Sequence, residues 1–471
     1  MINFPYHSIF FVGIKGVAMS NLAVILKKLG KKVTGSDVHE EFITDQLLQK
    51  HSINYSIGFD KDKIPDDCDL VIYSGSHKGI ENPQVNEAVN RKITIMNQAE
   101  VLGLIIKNFR KSIAVCGCHG KTTTSSLLTY ALLKLKKNPS YLIGVPFFGQ
   151  YQGADMQDSD YFIVEADEYG INPPIDKTPK FLHLNPLRII CTNIDFDHPD
   201  VYENIEETKK AFLKFFGNKQ LILCGDDENI RVILSQLDPA KITTYGFSFN
   251  CDMQIMNDNS IKYGSVFEIQ DLRNNISLGK YEINLFGKKN ISNAAAVIVI
   301  LLQLGFKPVE IAQSLKGFVG AERRFEKKFE LNETYIFDDY AHHPNEIKAT
   351  IDAARQHFPN KKIIIIFQPH TFSRTKALLY EFEESLSLAD KTYILPIFAS
   401  ARENKAEFHI SSNDIVKNQG SNKTMVVVED HAQLIKQMYK DVQKGDIIIT
   451  MGAGDVYKLK DDIIKVIKEL K

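Results

Sequence analysis

Gly117-Cys118-His119-Gly120-Lys121-Thr122-Thr123-Thr124 follows an apolar run at 112–115 that reads as a strand, and it opens a helical pattern over 123–135. A glycine loop between strand and helix gathers backbone N–H groups and the positive end of a helix dipole at one point. Lys121 adds a point charge for β- and γ-phosphate oxygens, and Thr122 a hydroxyl where a phosphate-bound Mg²⁺ sits. The commonest form of this cradle has glycine five residues before the Gly-Lys pair, where this chain has Val115. The strand–loop–helix context predicts a nucleoside triphosphate site on an α/β sheet.

Moving outward, an apolar strand at 161–164 ends in Glu165-Ala166-Asp167-Glu168. Carboxylates at the end of a strand beside a phosphate loop suit Mg²⁺, a hard cation that takes oxygen ligands. A solvated acidic turn is the other reading. Thr192-Asn193-Ile194-Asp195-Phe196-Asp197-His198-Pro199-Asp200 follows the strand at 189–191 and gathers carboxylates and an imidazole in one turn. Asx hydrogen bonds in a surface turn would produce the same pattern.

Upstream, a strand at 8–12 leads into Gly13-Ile14-Lys15-Gly16, then a helix to about residue 29 and a strand at 32–35 ending in Ser36-Asp37. Only two of the three dinucleotide-fingerprint glycines are present, but Asp37 stands where a ribose-binding carboxylate belongs. The turn fits a nucleotide held by its diphosphate. It also fits a nicotinamide-dependent oxidoreductase or nucleotide sensor, or a bare strand–helix turn.

Downstream, Arg323-Arg324-Phe325-Glu326 precedes a third set of strands at 334–337, 362–367, 391–395, 424–428 and 446–450, with helices at 344–358 and 376–388. Asp338-Asp339-Tyr340-Ala341-His342-His343-Pro344 and Gln368-Pro369-His370-Thr371-Phe372-Ser373-Arg374-Thr375 each end a strand. Loops at the carboxyl ends of strands share a crevice in open α/β sheets. Two histidines and an arginine there suit a small carboxylate.

The alternation predicts three α/β domains: a Rossmann-like unit at 1–106, a central phosphate-loop unit with a mostly parallel sheet at 107–320, and a doubly wound, Rossmann-like unit at 321–471. Within the second, 251–282 reads as short strands decorating the core. At 471 residues, with 24% charged residues and net charge −1, nothing advertises a nucleic-acid surface. The start lacks a basic leader pattern, and no apolar run approaches a membrane span. Six cysteines without zinc spacing read as reduced thiols in a cytoplasmic protein with no membrane partner.

These motifs in this order resemble the Mur ligase family of peptidoglycan precursor synthesis across essentially the whole chain. The carriers are Cys118–Thr123, Glu165–Glu168, Thr192–Asp195 with Asp197-His198, Gly287–Asn290, Asn293-Ala294, Arg323-Arg324-Phe325 and Asp339–Pro344. Within the family, Gln368–Thr375 and Ile397-Phe398-Ala399-Ser400-Ala401-Arg402-Glu403 resemble the branch acting on UDP-N-acetylmuramate and L-alanine. The resemblance implies ATP-dependent ligation of that amino acid to the lactyl carboxylate through an acyl phosphate, by a monomer or weak homodimer. It implies ATP binding by Cys118, His119, Gly120, Lys121, Thr122, Thr123, Asn290, Asn293, Arg324 and Asp339. It assigns the UDP-substrate to Gly13, Lys15, Gly16, Asp37 and Ser74, and the amino acid to Tyr340, His342, His370 and Arg374. Two Mg²⁺ ions, replaceable by Mn²⁺, fall to Thr122, Glu165 and His198, with Lys121, His198 and Arg324 catalytic.

Several positions depart from the family pattern. Lys15 and Ala18 replace frequent glycines, Tyr169-Gly170 a frequent Ser-Asp, and Lys289 a histidine near the adenine. Residues 171–184 form a longer stretch that resembles the related ligase attaching a recycled tripeptide.

Overall fold

Four strands buried along their whole length, Ser8–Val12, Leu70–Tyr73, Ile363–Phe367 and Ile447–Met451, and a fifth, Arg188–Cys191, buried but for its half-buried first residue, explain why the chain builds parallel sheets. Strands of that kind need cover on both faces, which helical crossovers supply. The computed structural model describes residues 2–399, 403, 406, 408–417 and 424–470. Ser400, Ala401 and Arg402 of the quoted motif lie outside the described residues.

The N-terminal sheet runs Asn54–Ile57, Lys32–Asp37, Ser8–Val12, Leu70–Tyr73, Thr94–Asn97, all parallel. Its order reverses beside Ser8–Val12, so the Gly13 turn opens at a switch point. The two edge strands escape sequence reading because they are short and polar. Asn97 and Glu100 form a reciprocal capping box that starts the helix Gln98–Ile106.

The central sheet has ten strands. Lys111–Cys116, which feeds the phosphate loop, lies between Arg188–Cys191 and Tyr161–Glu165 in parallel register. Beyond Tyr161–Glu165 come Ser140–Phe148 and Tyr151–Asp155; on the other side come Gln220–Cys224, Ile242–Gly246, Met253–Ile261, Gly264–Asp271 and Ile276–Ile283. The stretch expected only to decorate the core therefore extends its main sheet. Gly264–Asp271 shows why: Phe267 and Ile269 are buried while Val266, Glu268 and Gln270 between them are half-exposed. That is the period of a strand with one covered face.

The C-terminal sheet is ordered Glu326–Leu331, Thr334–Asp339, Ile447–Met451, Ile363–Phe367, Lys391–Ile394, Met425–Val427, antiparallel only at its first pair. The helix expected over 376–388 is two helices, Phe372–Ala377 and Leu379–Leu386, broken at Leu378 where ψ reaches 31°. No glycine or proline marks that break.

The chain divides into two compact units. One comprises residues 1–258, 266–283 and 292–321, and the other 259–265, 284–291 and 322–471. The N-terminal and central sheets share the first unit because glycines let their backbones meet. A Cβ on Gly75 or Gly103 would collide with the carbonyl oxygen of Ile171 or His183, and one on Gly79 with the Asn172 amide. No helix among the described residues is long and apolar enough to cross a membrane.

Candidate active site

The phosphate loop closes against the turn that follows Arg188–Cys191. Gly117 has φ +128°, and a Cβ there would lie 3.0 Å from Asn193 O; Gly120, at φ +83°, would press one to 2.7 Å from Asn293 Oδ1. Only glycine meets both constraints. The His119 N–H donates to Asn193 Oδ1 at 2.9 Å, and Asn193 Nδ2 donates back to His119 O at 2.8 Å. Thr192 Oγ1 donates to the same carbonyl, and His119 Nε2 stands 3.0 Å from Asp195 Oδ2. Burial, then the charge of Glu168, pushes the Cys118 thiol well above its usual range, so it is no nucleophile here. All six thiols are free and buried.

Lys121 begins the helix Lys121–Lys134 and turns its ammonium back into the loop, donating to Gly117 O at 2.7 Å. It also donates to both oxygens of Glu168, at 3.0 and 2.7 Å. Burial works against this charge, but the carboxylates of Glu168 and then Asp167 hold its pKa above the ordinary lysine value. Thr122 Oγ1 donates to Glu165 Oε1 at 3.0 Å, and the Gly144 N–H fixes the other oxygen at 2.9 Å. His198, at φ +61°, faces Glu168 Oε1 at 3.4 Å.

The sequence grouped Thr122, Glu165 and His198 as metal ligands. The structure pairs Thr122 with Glu165 and sets His198 beside Glu168. Glu168, with Asp167, is the residue that motif reading left without a role. Ligand atoms of Asp167, Glu168 and His198 all lie within 4.8 Å of one another. The first group offers a hydroxyl and a carboxylate and the second two carboxylates beside an imidazole, so both supply the oxygen ligands that Mg²⁺ takes and the residues present fit that ion. Partial burial would raise the pKa of Asp167, but Lys180 and then Lys121 hold it below the usual carboxylate range.

At the Gly13 turn, Asp37 faces inward. Its Oδ2 accepts the Lys15 N–H at 2.6 Å, its Oδ1 the Val38 N–H at 2.8 Å, and His77 Nε2 stands 3.5 Å from Oδ1. Lys15 donates through Nζ to the carbonyls of Val38 and Glu40, at 3.0 and 2.8 Å, and lies over the Tyr55 ring. Both side chains thus organise the loop. Gly13 has φ +80°, and a Cβ there would meet His77 and Ser74 Oγ at 3.2 and 3.6 Å, so Ser74 lines the same turn; Gly16 is the N-cap of Val17–Lys28. Asp37→Ala should lower stability by about 1–3 kcal/mol, the cost of a buried N–H left without its acceptor. Thermal melting checks this, and an unchanged midpoint would show that other contacts set the turn.

In the second unit, Arg323 is spent on structure: it binds Asp338 Oδ2 at 3.0 Å, Gly452 O at 2.6 Å and Gly454 O at 3.2 Å. Arg324 instead lies over Tyr340, 5.0 Å from the ring centre, with Glu346 at 3.7 Å. The two residue types are the same, and only the family resemblance singles out Arg324. His342 Nδ1 is 2.9 Å from Tyr340 O, and the His342 and His370 rings lie 6.1 Å apart, joining the two expected loops. Arg374 is 5% exposed within Phe372–Ala377, the short helix that the second of those loops opens. Glu403 accepts the Phe372 N–H at 2.6 Å and the Ser373 N–H at 3.1 Å, holding this helix start. Asp339 accepts from Ala341 N at 2.9 Å and Thr350 Oγ1 at 2.8 Å, and Asn290 Nδ2 donates to Phe286 O at 2.9 Å.

Three family models match in sequence order: the Mur ligase family catalytic domain over residues 8–110, the Mur ligase middle domain over 115–301, and the Mur ligase glutamate ligase domain over 323–454. The UDP-N-acetylmuramate–L-alanine ligase of Lactobacillus acidophilus is 38% identical over 461 residues, covering 98% of each chain. This chain belongs to the Mur ligase family. The enzyme of the same name from Caldicellulosiruptor bescii is also 38% identical, covering 97% of this chain and 98% of the other. Among solved structures, UDP-N-acetylmuramate–alanine ligase MurC of Thermotoga maritima superposes on this Mur ligase with TM-score 0.79 at 26% identity, over 98% of this chain and 99% of that one. The murein peptide ligase mpl of Psychrobacter arcticus shares the fold, with TM-score 0.72 at 23% identity over 99% of both chains.

Proposed function

We propose that this Mur ligase joins L-alanine to the lactyl carboxylate of UDP-N-acetylmuramate and converts ATP to ADP and phosphate. The observation that carries the reading is identity of 38% over 98% of both chains with a ligase bearing that name. The Lys121–Glu168 phosphate loop supports it, being built to receive a triphosphate.

A carboxylate resists amine attack because its own charge repels the nucleophile's electron pair. Transfer of the γ-phosphoryl group to a lactyl oxygen removes that charge and releases ADP. The alanine nitrogen then adds to the acyl carbon. That addition forms the C–N bond; collapse of the tetrahedral intermediate restores the carbonyl, breaks the C–O bond to the phosphoryl group and expels phosphate, while the amine proton leaves to solvent or phosphate.

Lys121 and the loop amides hold the triphosphate, with Cys118, His119, Gly120 and Thr123 shaping the loop. Because Glu168 already orients the ammonium, the triphosphate meets a preorganised charge. Thr122 and Glu165 would hold one Mg²⁺, and Glu168 with His198 a second; the bound ions supply charge neutralisation on phosphoryl and acyl oxygens. Asn290, Asn293 and Asp339 are assigned to the nucleotide, and Arg324 to charge on the transferring phosphoryl group. Gly13, Lys15, Gly16, Asp37 and Ser74 shape the UDP-substrate turn, in a reading with functional segments 1–106, 107–320 and 321–471. The protein is taken as a cytoplasmic monomer or weak homodimer.

Tyr340, His342, His370 and Arg374 are assigned to alanine. Guanidinium forks recognise carboxylates bidentately. Arg374→Ala should raise the KM for L-alanine by about one to two decades, or about 1.5–3 kcal/mol, and leave those for ATP and UDP-N-acetylmuramate nearly unchanged. Steady-state kinetics in each substrate check this, and an equal rise in all three would place Arg374 in the scaffold. Competition between L-alanine, glycine, L-serine and the recycled tripeptide, with products resolved by mass spectrometry, tests the amine. Preferred tripeptide ligation would overturn alanine and leave the family unchanged.

A further inference from the structure

Tyr169 and Lys180 bracket a short antiparallel hairpin, Gly170–Asn172 with Asp176–Pro179. The hairpin returns its chain to the acidic turn beside the phosphate loop. The Lys180 N–H donates to Tyr169 O at 3.0 Å and the Phe181 N–H to Asp167 O at 2.9 Å. Phe181 is fully buried, stacked on Phe215 at 4.5 Å and edge-on to Phe212 at 5.2 Å. Lys180 is thereby fixed in direction from both sides. Its ammonium donates to Asp167 Oδ2 at 2.8 Å and lies 5.1 Å from the centre of the Tyr169 ring. That ring stands edge-on to His198 at 4.7 Å, and its hydroxyl donates to Asp200 Oδ2 at 2.5 Å. One cation therefore holds one carboxylate and one aromatic wall of the His198 pocket.

We propose that Lys180 is a positioning residue for phosphoryl transfer: it ties Asp167 back, leaving Glu168 as the carboxylate shared by Lys121 and His198. This rests on the assignment of the Lys121–Glu168 loop to ATP and not on the choice of amine. Asp167, Glu168 and His198 already have ligand atoms within 4.8 Å of one another. Without Lys180 the Asp167 carboxylate is free to turn toward that group and to compete with Glu168 for Lys121. Three ligands and one less positive charge then favour a divalent ion bound before nucleotide, and that ion draws Glu168 off Lys121, so the ammonium loses the partner that orients it toward the triphosphate.

The test uses Lys180→Met, Lys180→Arg, Asp167→Asn and the double variant Lys180→Met/Asp167→Asn, each checked for folding by circular dichroism. Mn²⁺ binding to nucleotide-free protein is read by electron paramagnetic resonance, and turnover by phosphate release. Lys180→Met should bind Mn²⁺ about tenfold more tightly than wild type, because a carboxylate ligand is gained and a cation lost. Its kcat should fall about tenfold while the KM for the amine stays put, as misplaced groups raise the barrier without touching that subsite. Lys180→Arg should restore both, and the double variant should return Mn²⁺ affinity to the wild-type value. Wild-type Mn²⁺ affinity in folded Lys180→Met would overturn the proposal, as would tighter binding that persists when Asp167 is also replaced. If Lys180→Met does not fold, Lys180→Gln takes its place with the same expected rise in Mn²⁺ affinity and fall in kcat, and wild-type Mn²⁺ affinity in that variant overturns the proposal. Wild-type turnover with ATP separates these outcomes from failure of the ligase reading.

Discussion

Lys121→Ala should lower kcat at least about a hundredfold, a loss of roughly 3 kcal/mol of transition-state stabilisation. The lysine is the loop's only side-chain cation able to follow charge as it moves from the β,γ-bridge to the transferring group. The variant should also be less stable. Glu168 is fully buried and gives both oxygens to Lys121. Removing one partner of a buried ion pair leaves an uncompensated charge, at a cost of about 3–5 kcal/mol. Lys121→Ala/Glu168→Gln should regain much of the stability and none of the turnover. Steady-state kinetics and chemical unfolding of the three proteins separate the two effects. Near-normal turnover in Lys121→Ala would remove the loop from the chemistry.

Asp339→Asn should change how stability depends on pH. Burial pushes the Asp339 carboxyl up to about 6 from 3.8, against the pull of Arg324, the Ala341 N–H and Thr350. Folding therefore favours its protonated form. The stability this group contributes is fully present below pH 3.8 and is lost as pH rises through about 6. The loss amounts to about 3 kcal/mol. An asparagine amide keeps the Ala341 bond, can donate to Thr350 and does not titrate. Urea unfolding from pH 3 to 7 should show the wild type losing that amount relative to the variant between about pH 4 and 6, with a constant difference outside that window. A difference independent of pH would show that folding leaves the Asp339 carboxyl at its unfolded pKa.

The phosphate loop was legible because its chemistry is local. Strand, glycines, lysine and threonine must follow one another for backbone amides and ammonium to converge on one phosphate chain. The paired role of Glu168 was not legible. It lies 47 residues from Lys121 and only three beyond Glu165. Which of three neighbouring acids faces the lysine depends on where the strand ends, at Glu165, and on how Lys180 turns Asp167 away. Asp37 is a second case in which spacing does not show local contacts: it stands where a ribose-binding carboxylate belongs, and its oxygens also accept the Lys15 and Val38 N–H groups. The buried strands were read closely because their apolar runs are continuous. Asn54–Ile57 and Thr94–Asn97 were missed because edge strands of four residues carry little pattern.

Release of inorganic phosphate, measured with ATP and Mg²⁺ while UDP-N-acetylmuramate and L-alanine are supplied singly and together, tests the account most directly. The account predicts sustained release only when both substrates are present, with one UDP-N-acetylmuramoyl-L-alanine formed per phosphate. Equal release without UDP-N-acetylmuramate, or release with both substrates and no amide product, would contradict it.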